Sequence, residues 1–137
     1  GKIEESITQF MKALEINPKD QKTLNNLGAS LILTEKYTKA AQVFSEALEL
    51  DPYYAQAHNN LGVALRHQGQ IEKAIHHFST AVQLDPEYAL AINNLGSILA
   101  SQGKFEAAHH HFKKALSIDP NFAAARKNYM DNQKNLK

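Results

Sequence analysis

Residues 59–86, NNLGVALRHQGQIEKAIHHFSTAVQLDP, decide the fold. Apolar residues recur at helical spacing on both sides of Gly69, which indicates two amphipathic helices joined by a short turn. Gly69 suits the left-handed residue that ends many helices. Pro86 ends the second helix, because proline disfavours helical geometry in the residue before it. The stretch therefore predicts an antiparallel helical hairpin.

The same pattern recurs along the chain with a period of 34 residues. It places the four prolines at Pro18, Pro52, Pro86 and Pro120, and four phenylalanines at Phe10, Phe44, Phe78 and Phe112. Leu-Gly pairs begin at Leu27, Leu61 and Leu95 in the same register. Gly1, Gly69 and Gly103 share one position, which Glu35 fills in the remaining repeat. Self-similarity at a fixed period of this length is the signature of a stacked repeat protein.

The period divides residues 1–137 into a single array. We expect a half repeat at 1–20, full repeats at 21–54, 55–88 and 89–122, and a polar capping helix at 123–137. Helices are expected near 3–16, 21–34, 37–50, 55–68, 71–84, 89–102, 105–118 and 122–136. Because residue 1 falls in mid-hairpin, we expect the chain to be a piece of a longer array, and the alternative is a natural start with a bare helix.

The composition argues against several classes of function. The net charge is +1 with the histidines neutral, so charge gives no reason to expect nucleic acid or a membrane surface as a partner. No apolar stretch is long enough to cross a bilayer. The chain has no cysteine, which removes thiolate nucleophiles and cysteine metal sites but does not fix the compartment. No catalytic motif is visible, so we expect neither enzymatic activity nor a cofactor.

These residues resemble the tetratricopeptide repeat family. Its pattern is a 34-residue helix–turn–helix with Leu-Gly in the first helix, Ala, Phe and Ala in the second, and a closing Pro. The second full repeat carries these residues as Leu61, Gly62, Ala74, Phe78, Ala81 and Pro86. The family's tryptophan position holds Leu24, His58 and Ile92 instead. The resemblance implies an all-α, right-handed α-solenoid of stacked helix-turn-helix hairpins.

The resemblance also implies a scaffold that binds a protein or an extended peptide in a concave groove. Two alternatives stay open. Runs of Asn-Asn-Leu-Gly at 25–28, 59–62 and 93–96 are similar to repeats in O-GlcNAc-transferase-type and membrane-anchored glycosyltransferase-type proteins, which would make the array a targeting or substrate-recruiting domain of a larger enzyme. A self-association module is the other alternative, because the N-terminal half repeat is rich in apolar residues: Ile3, Ile7, Phe10, Met11 and Leu14.

In this family the first helix of each repeat lines the groove. Carried over by position, the groove residues of the first full repeat are Lys22, Asn25, Asn26, Ala29, Ile32 and Leu33. Those of the second are Gln56, Asn59, Asn60, Val63, Arg66 and His67, and those of the third are Leu90, Asn93, Asn94, Ser97, Ala100 and Ser101. None of these residues is acidic.

Asparagine is the most regular groove residue. One series runs through Asn26, Asn60, Asn94 and Asn128, and a second lies beside it at Asn25, Asn59 and Asn93. An asparagine amide donates and accepts, so it can pair with the backbone of an extended peptide without reading its sequence, as similar ladders in O-GlcNAc-transferase-like arrays do. The alternative is that these amides bond within or between hairpins. We take the seven asparagines and Arg66 as the predicted partner-binding residues.

Other groove residues allow two interpretations each. Ile32, Leu33 and Val63 either form a pocket for a partner side chain or pack on a neighbouring helix. Lys22, Arg66 and Lys127 either attract an acidic partner or are solvated charges. A family variant that grips a C-terminal carboxylate needs a basic residue at the position of Asn25 and asparagine at that of Ala29. It also needs lysine and arginine at the positions of Leu90 and Asn94, so we do not expect that clamp here.

Seven histidines raise the possibility of a metal site. His109, His110 and His111 cannot converge on one ion, because adjacent residues on a helix point about 100° apart. The equivalent pairs His76/His110 and His77/His111 would supply two ligands where structural zinc sites have four. We therefore expect a polar outer helix face and no metal site.

Overall fold

The computed structural model describes all 137 residues as eight α-helices without strands. The helices are α1 (Lys2–Ile16), α2 (Gln21–Leu33), α3 (Tyr37–Leu50), α4 (Ala55–His67), α5 (Ile71–Leu84), α6 (Ala89–Ser101), α7 (Phe105–Ile118) and α8 (Ala123–Gln133). Helices α1 to α7 lie within one residue of their expected ends.

Helix α8 is shorter than the expected 122–136. Phe122 has extended backbone geometry and precedes the helix as its N-cap residue. At the other end, Asn135 N donates to Asn132 O at 3.0 Å, and Leu136 N to Gln133 O at 3.2 Å. These bonds span three residues and tighten the last turn, which ends the α-helix.

Each turn inside a hairpin uses one residue with left-handed backbone geometry. Gly69 has φ 76°, Gly103 has φ 77°, and Glu35 has φ 59° at the equivalent position. The hydrogen bonds are also equivalent, because Lys36 N donates to Leu31 O at 2.8 Å and Gln70 N to Leu65 O at 2.9 Å. Glu35 therefore adopts a backbone conformation that is unfavourable for a residue with a side chain. Glycine adopts the same conformation readily.

Between hairpins, an aspartate before Pro52, Pro86 and Pro120 organises the turn. The side chains of Asp51, Asp85 and Asp119 each accept a hydrogen bond from the backbone N–H two residues later, at 3.0, 3.1 and 3.1 Å. This turn is one that aspartate stabilises with its own side chain. It explains why Asp-Pro recurs at the end of the second helix of every full repeat.

The packing divides the chain into two compact units, Gly1–His77 and Phe78–Lys137. In the first unit, α2 contacts α1, α3 and α4, and α3 also contacts α4. Its core contains Leu24, Ala47 and Ala57, surrounded by Leu14, Val43, Leu48 and Tyr54.

The second unit repeats this arrangement with α6, α7 and α8, which all contact one another. Ile92, Ala115 and Ala125 form its buried core, and each lies two repeats after its counterpart in the first unit. Partly buried side chains surround this core: Val82, Ala89, Leu116, Ile118 and Phe122. The matching positions show that residues related by the sequence period occupy equivalent places in the two cores.

Glycine in the first helix lets the paired helix approach closely. A Cβ built on Gly28 would lie under 3.0 Å from three atoms of the Phe44 ring, and one on Gly96 would lie 2.8 Å from Phe112 Cε1. Phe44 and Phe112 are fully buried or nearly so. The glycine of the Leu-Gly pair is therefore required by the phenylalanine of the following helix.

Candidate partner-binding face

In the first unit, the two asparagines of each first helix point to different environments. Asn25 on α2 and Asn59 on α4 are buried, whereas Asn26 and Asn60 are half-buried. Asn60 Nδ2 donates to Asn25 Oδ1 at 3.0 Å, which links α4 to α2. One amide of each pair thus belongs to the interior, and the other lies at the surface.

The second unit contains the same bond two repeats later. Asn128 Nδ2 on α8 donates to Asn93 Oδ1 on α6 at 3.0 Å. Asn93 is buried, while Asn94 and Asn128 are half-buried. The contact between hairpins is thus observed for Asn25, Asn60, Asn93 and Asn128. It occupies one hydrogen of each donating amide, so it leaves the partner-binding interpretation open for the half-buried series.

The charged residues of the predicted face are unevenly distributed. Helices α2, α4 and α6 contain no aspartate or glutamate, while Lys22 is exposed on α2 and Arg66 is half-buried on α4. On α8, Lys127 Nζ lies 2.8 Å from Asp131 Oδ2, and Lys134 Nζ lies 3.7 Å from Asp131 Oδ1. The hydrogen bond to Asp131 raises the pKa of Lys127, and Lys127 is thus already paired with a carboxylate.

The apolar groove residues differ in exposure. Leu33 at the end of α2 is 68% exposed, whereas Ile32 and Val63 are half-buried. Leu33 is therefore accessible to a partner side chain.

Next to the end of α2, Tyr37 stacks on His67 with ring centroids 4.3 Å apart and planes 2° apart. This stack was not predicted from the sequence. The only signal for it was an aromatic ring at the start of α3, Tyr37, and another at the end of α4, His67.

Each unit contains a cleft. A cleft of about 210 Å³ in the second unit has Ser97, Ala100 and Asn128, three positions of the predicted face or its continuation, among its lining residues. The larger cleft of the first unit, about 810 Å³, is lined by α3 with side chains of α4 and α5. That larger cleft contains none of the predicted asparagines, so its size does not make it the partner site.

The histidines are in several environments. His76 and His110 are exposed, as expected for an outer helix face. His77 does not lie on that outer face as expected, because it is half-buried and its Nδ1 lies 3.1 Å from Nδ1 of the buried His58. Burial, with the neighbouring His58 and His76, lowers the pKa of His77 to about 4. Burial also lowers the pKa of His111. No group of three or more His, Cys, Asp or Glu side chains is arranged to hold a metal ion.

None of the helices is both long and apolar enough to pass through a membrane.

The stacked hairpins define a helical-repeat protein. A tetratricopeptide repeat profile matches residues 20–87 and again 53–121, and a second such profile matches residues 1–20. The chain therefore belongs to the tetratricopeptide repeat family, and the predicted all-α solenoid class is confirmed.

Several solved structures are similar. The crystal structure of MamA protein aligns with a TM-score of 0.83 and 26% identity, over 98% of this chain and 74% of that one. YrrB, described as a TPR protein with an unusual peptide-binding site, aligns with a TM-score of 0.79 and 26% identity, over 92% of this chain and 65% of that one.

The first TPR of Spaghetti (RPAP3), bound to the HSP90 peptide SRMEEVD, aligns with a TM-score of 0.78 and 21% identity, over 83% of this chain and 90% of that one. At that identity the likeness shows the fold alone. No curated protein matches the sequence.

Proposed function

We propose that this chain is a protein-interaction scaffold that binds an extended segment of a partner protein along the first helices of its repeats. Membership of the tetratricopeptide repeat family supports a binding role. The similarity to YrrB, at 26% identity, supports a peptide as the bound form, since that protein is described as having a peptide-binding site. In this proposal the chain acts by binding and not by catalysis.

The observation that carries the proposal is the repeated, half-buried amide. Asn60 and Asn128 each use one N–H to bind a buried asparagine of the preceding first helix. An asparagine amide has two N–H donors and a carbonyl with two lone pairs, so it can form further hydrogen bonds. Amides that recur once per repeat in the sequence suit a peptide backbone, which presents alternating N–H and C=O groups whatever its sequence.

The buried asparagines have a different role in this proposal. Asn25 and Asn93 accept from Asn60 and Asn128 and so fix the orientation of those two side chains. A side chain held by a neighbour loses less rotational freedom when it binds a ligand. In this proposal Asn25 and Asn93 therefore position Asn60 and Asn128 and do not themselves contact the partner.

Charge narrows the chemistry of the partner segment. The absence of carboxylates on α2 and α4, together with Lys22 and Arg66, favours a neutral or acidic segment in the first unit. The exposed Lys22 contributes mainly at low ionic strength, because salt screens charges at a surface.

The test is a peptide selection followed by affinity measurement on variants. Peptides selected from a random library on the wild-type protein are titrated by calorimetry against the double variant Asn60→Ala/Asn94→Ala. Each lost hydrogen bond costs on the order of 1 kcal/mol, so the double variant should bind about tenfold more weakly or worse. The exposed Asn121 lies outside the predicted face, and Asn121→Ala is the matched control, which should bind as the wild type does.

Thermal melts of all three proteins verify that the variants are folded at the titration temperature. Equal affinity of the folded double variant and the wild type would make the amides purely structural and overturn the proposed site.

A further inference from the structure

His58 and His77 form an imidazole pair in the first unit that the proposed partner site does not use. The two Nδ1 atoms are 3.1 Å apart, and the other nitrogen of His58, Nε2, is 2.8 Å from the carbonyl oxygen of Pro52. The ring centroids are 5.3 Å apart. His58 is 9% exposed, and His77 is half-buried.

The carbonyl of Pro52 determines where the hydrogens are. A carbonyl oxygen only accepts, so Nε2 of His58 must carry a hydrogen. In a neutral ring Nδ1 of His58 then has a free lone pair, and His77 Nδ1–H donates to it. A histidine whose far nitrogen donates to a backbone carbonyl is the arrangement that orients histidine ligands in metal sites.

The fold itself does not require imidazoles at these positions. One repeat earlier, the equivalent residues are Leu24 and Val43, which pack in the core of the first unit. An apolar pair therefore satisfies the same hairpin geometry. Two polar rings in place of this apolar pair introduce groups that must be hydrogen-bonded when they are buried. The replacement therefore offers no evident packing advantage.

We propose that His58 and His77 form a two-histidine binding site for a divalent transition-metal ion, with Cu²⁺ the best-suited ion. Bonds of about 2.0–2.1 Å from one ion to two neighbouring imidazoles place the nitrogens about 3 Å apart, close to the separation present here. Imidazole is a preferred ligand of copper, nickel and zinc, and divalent copper binds most tightly in this series.

Binding requires a small rearrangement of the pair. The His77 hydrogen moves from Nδ1 to Nε2, which leaves both Nδ1 lone pairs for the ion and releases no net proton. A modest rotation of each ring turns the two lone pairs from each other toward a common point. Water supplies the remaining positions, since no third His, Cys, Asp or Glu joins the pair in a metal-binding group.

The surroundings of His77 permit entry of an ion. His77 lines the cleft of about 810 Å³ together with Glu46, Glu49 and Lys73, so two carboxylates and one ammonium group share it.

The experiment compares Cu²⁺ binding by three proteins at neutral pH, using electron paramagnetic resonance and calorimetry. The first is the wild type. The second is His58→Leu/His77→Val, which installs the pair found one repeat earlier and should stay folded. The third is His110→Gln, which removes an exposed histidine from the 109–111 cluster. The wild type and His110→Gln should bind one equivalent with coupling to two nitrogens, and His58→Leu/His77→Val should lose that equivalent.

Zn²⁺ titration of the wild type, followed by the ¹⁵N shifts of the imidazoles, provides a readout that does not depend on any variant folding. Saturable changes at the His58 and His77 Nδ1 resonances are expected. Three outcomes each overturn the proposal: no saturable binding by the wild type, undiminished two-nitrogen binding by His58→Leu/His77→Val, or shifts confined to other histidines.

Discussion

Glu35 is the one non-glycine residue in the structure with a positive φ, and it occupies the turn position that glycine holds in two other repeats. A side chain in left-handed geometry costs about 1–2 kcal/mol. Glycine removes this strain but adds freedom to the unfolded chain, which costs about 0.4–1 kcal/mol. We expect Glu35→Gly to raise the free energy of unfolding by about 0.5–1 kcal/mol as the difference between these two effects.

Urea denaturation measures the change, and Glu35→Ala is the control. Alanine removes the carboxylate but keeps the strained backbone, so it should not stabilise the protein. Equal stabilisation by glycine and alanine would assign the effect to charge and not to φ.

The His58–His77 pair gives stability a specific pH dependence. The pKa of His77 is lowered to about 4 from the usual histidine value of 6.5, so the unfolded chain binds more protons than the folded one between these values. The contribution is present above pH 6.5 and is lost as pH falls toward 4. His111 acts in the same direction, because burial also lowers its pKa.

We expect His58→Leu/His77→Val to show a smaller loss of stability than the wild type over this pH range, measured by thermal melts. Parallel pH profiles for the two proteins would show that His77 is not the group responsible.

At the scale of the helix, the close contact between Gly28 and the Phe44 ring sets the approach of α2 and α3. A methyl group at position 28 overpacks this site, which typically costs about 1–3 kcal/mol. Gly28→Ala should therefore lower the melting temperature. The double variant Gly28→Ala/Phe44→Leu relieves the clash, so its effect should be smaller than the sum of the two single effects, whereas strict additivity would contradict a direct contact.

Helices α4 to α7 were predictable because a stop signal follows each of them in the sequence. Glycine or Asp-Pro ends α4, α5, α6 and α7, and their predicted ends were correct within one residue. Helix α8 has no such signal, since residues 131–137 contain neither glycine nor proline, and its predicted end was three residues too late. Its actual end depends on backbone bonds of the last turn, which composition does not reveal.

The candidate site was predictable only in part. The 34-residue period identified the asparagine pairs. It does not show which asparagine of each pair is buried, because both recur with the same period. Asn25 lies three residues before Gly28 and therefore shares its inward-facing side of the helix, a spacing signal that separates it from Asn26. The bond from Asn60 to Asn25 could not be predicted, because it depends on how two first helices pack. The His58–His77 pair was missed for the same reason, since its members lie on different helices.

At the scale of the whole molecule, α1 carries apolar surface that the first unit does not cover. Ile3 is 36% exposed and Met11 52% exposed, beside the half-buried Phe10, while Ile7 is buried. Helical spacing places Ile3, Phe10 and Met11 on one side of α1. Exposed apolar patches commonly bind another surface, so we expect concentration-dependent self-association through α1. Two copies of α1 meeting across a two-fold axis would give an isologous dimer.

Light scattering at several concentrations measures this association, and Ile3→Ser/Met11→Ser should weaken it. Ile16 is the matched control, because it is 88% exposed but lies on the opposite side of α1 by helical spacing. Ile16→Ser removes a comparable exposed side chain and should leave the association unchanged. If both variants weakened association equally, the cause would be general hydrophobicity and not the surface formed by Ile3, Phe10 and Met11. A wild-type protein that is monomeric at every concentration would remove self-association as a property of this chain.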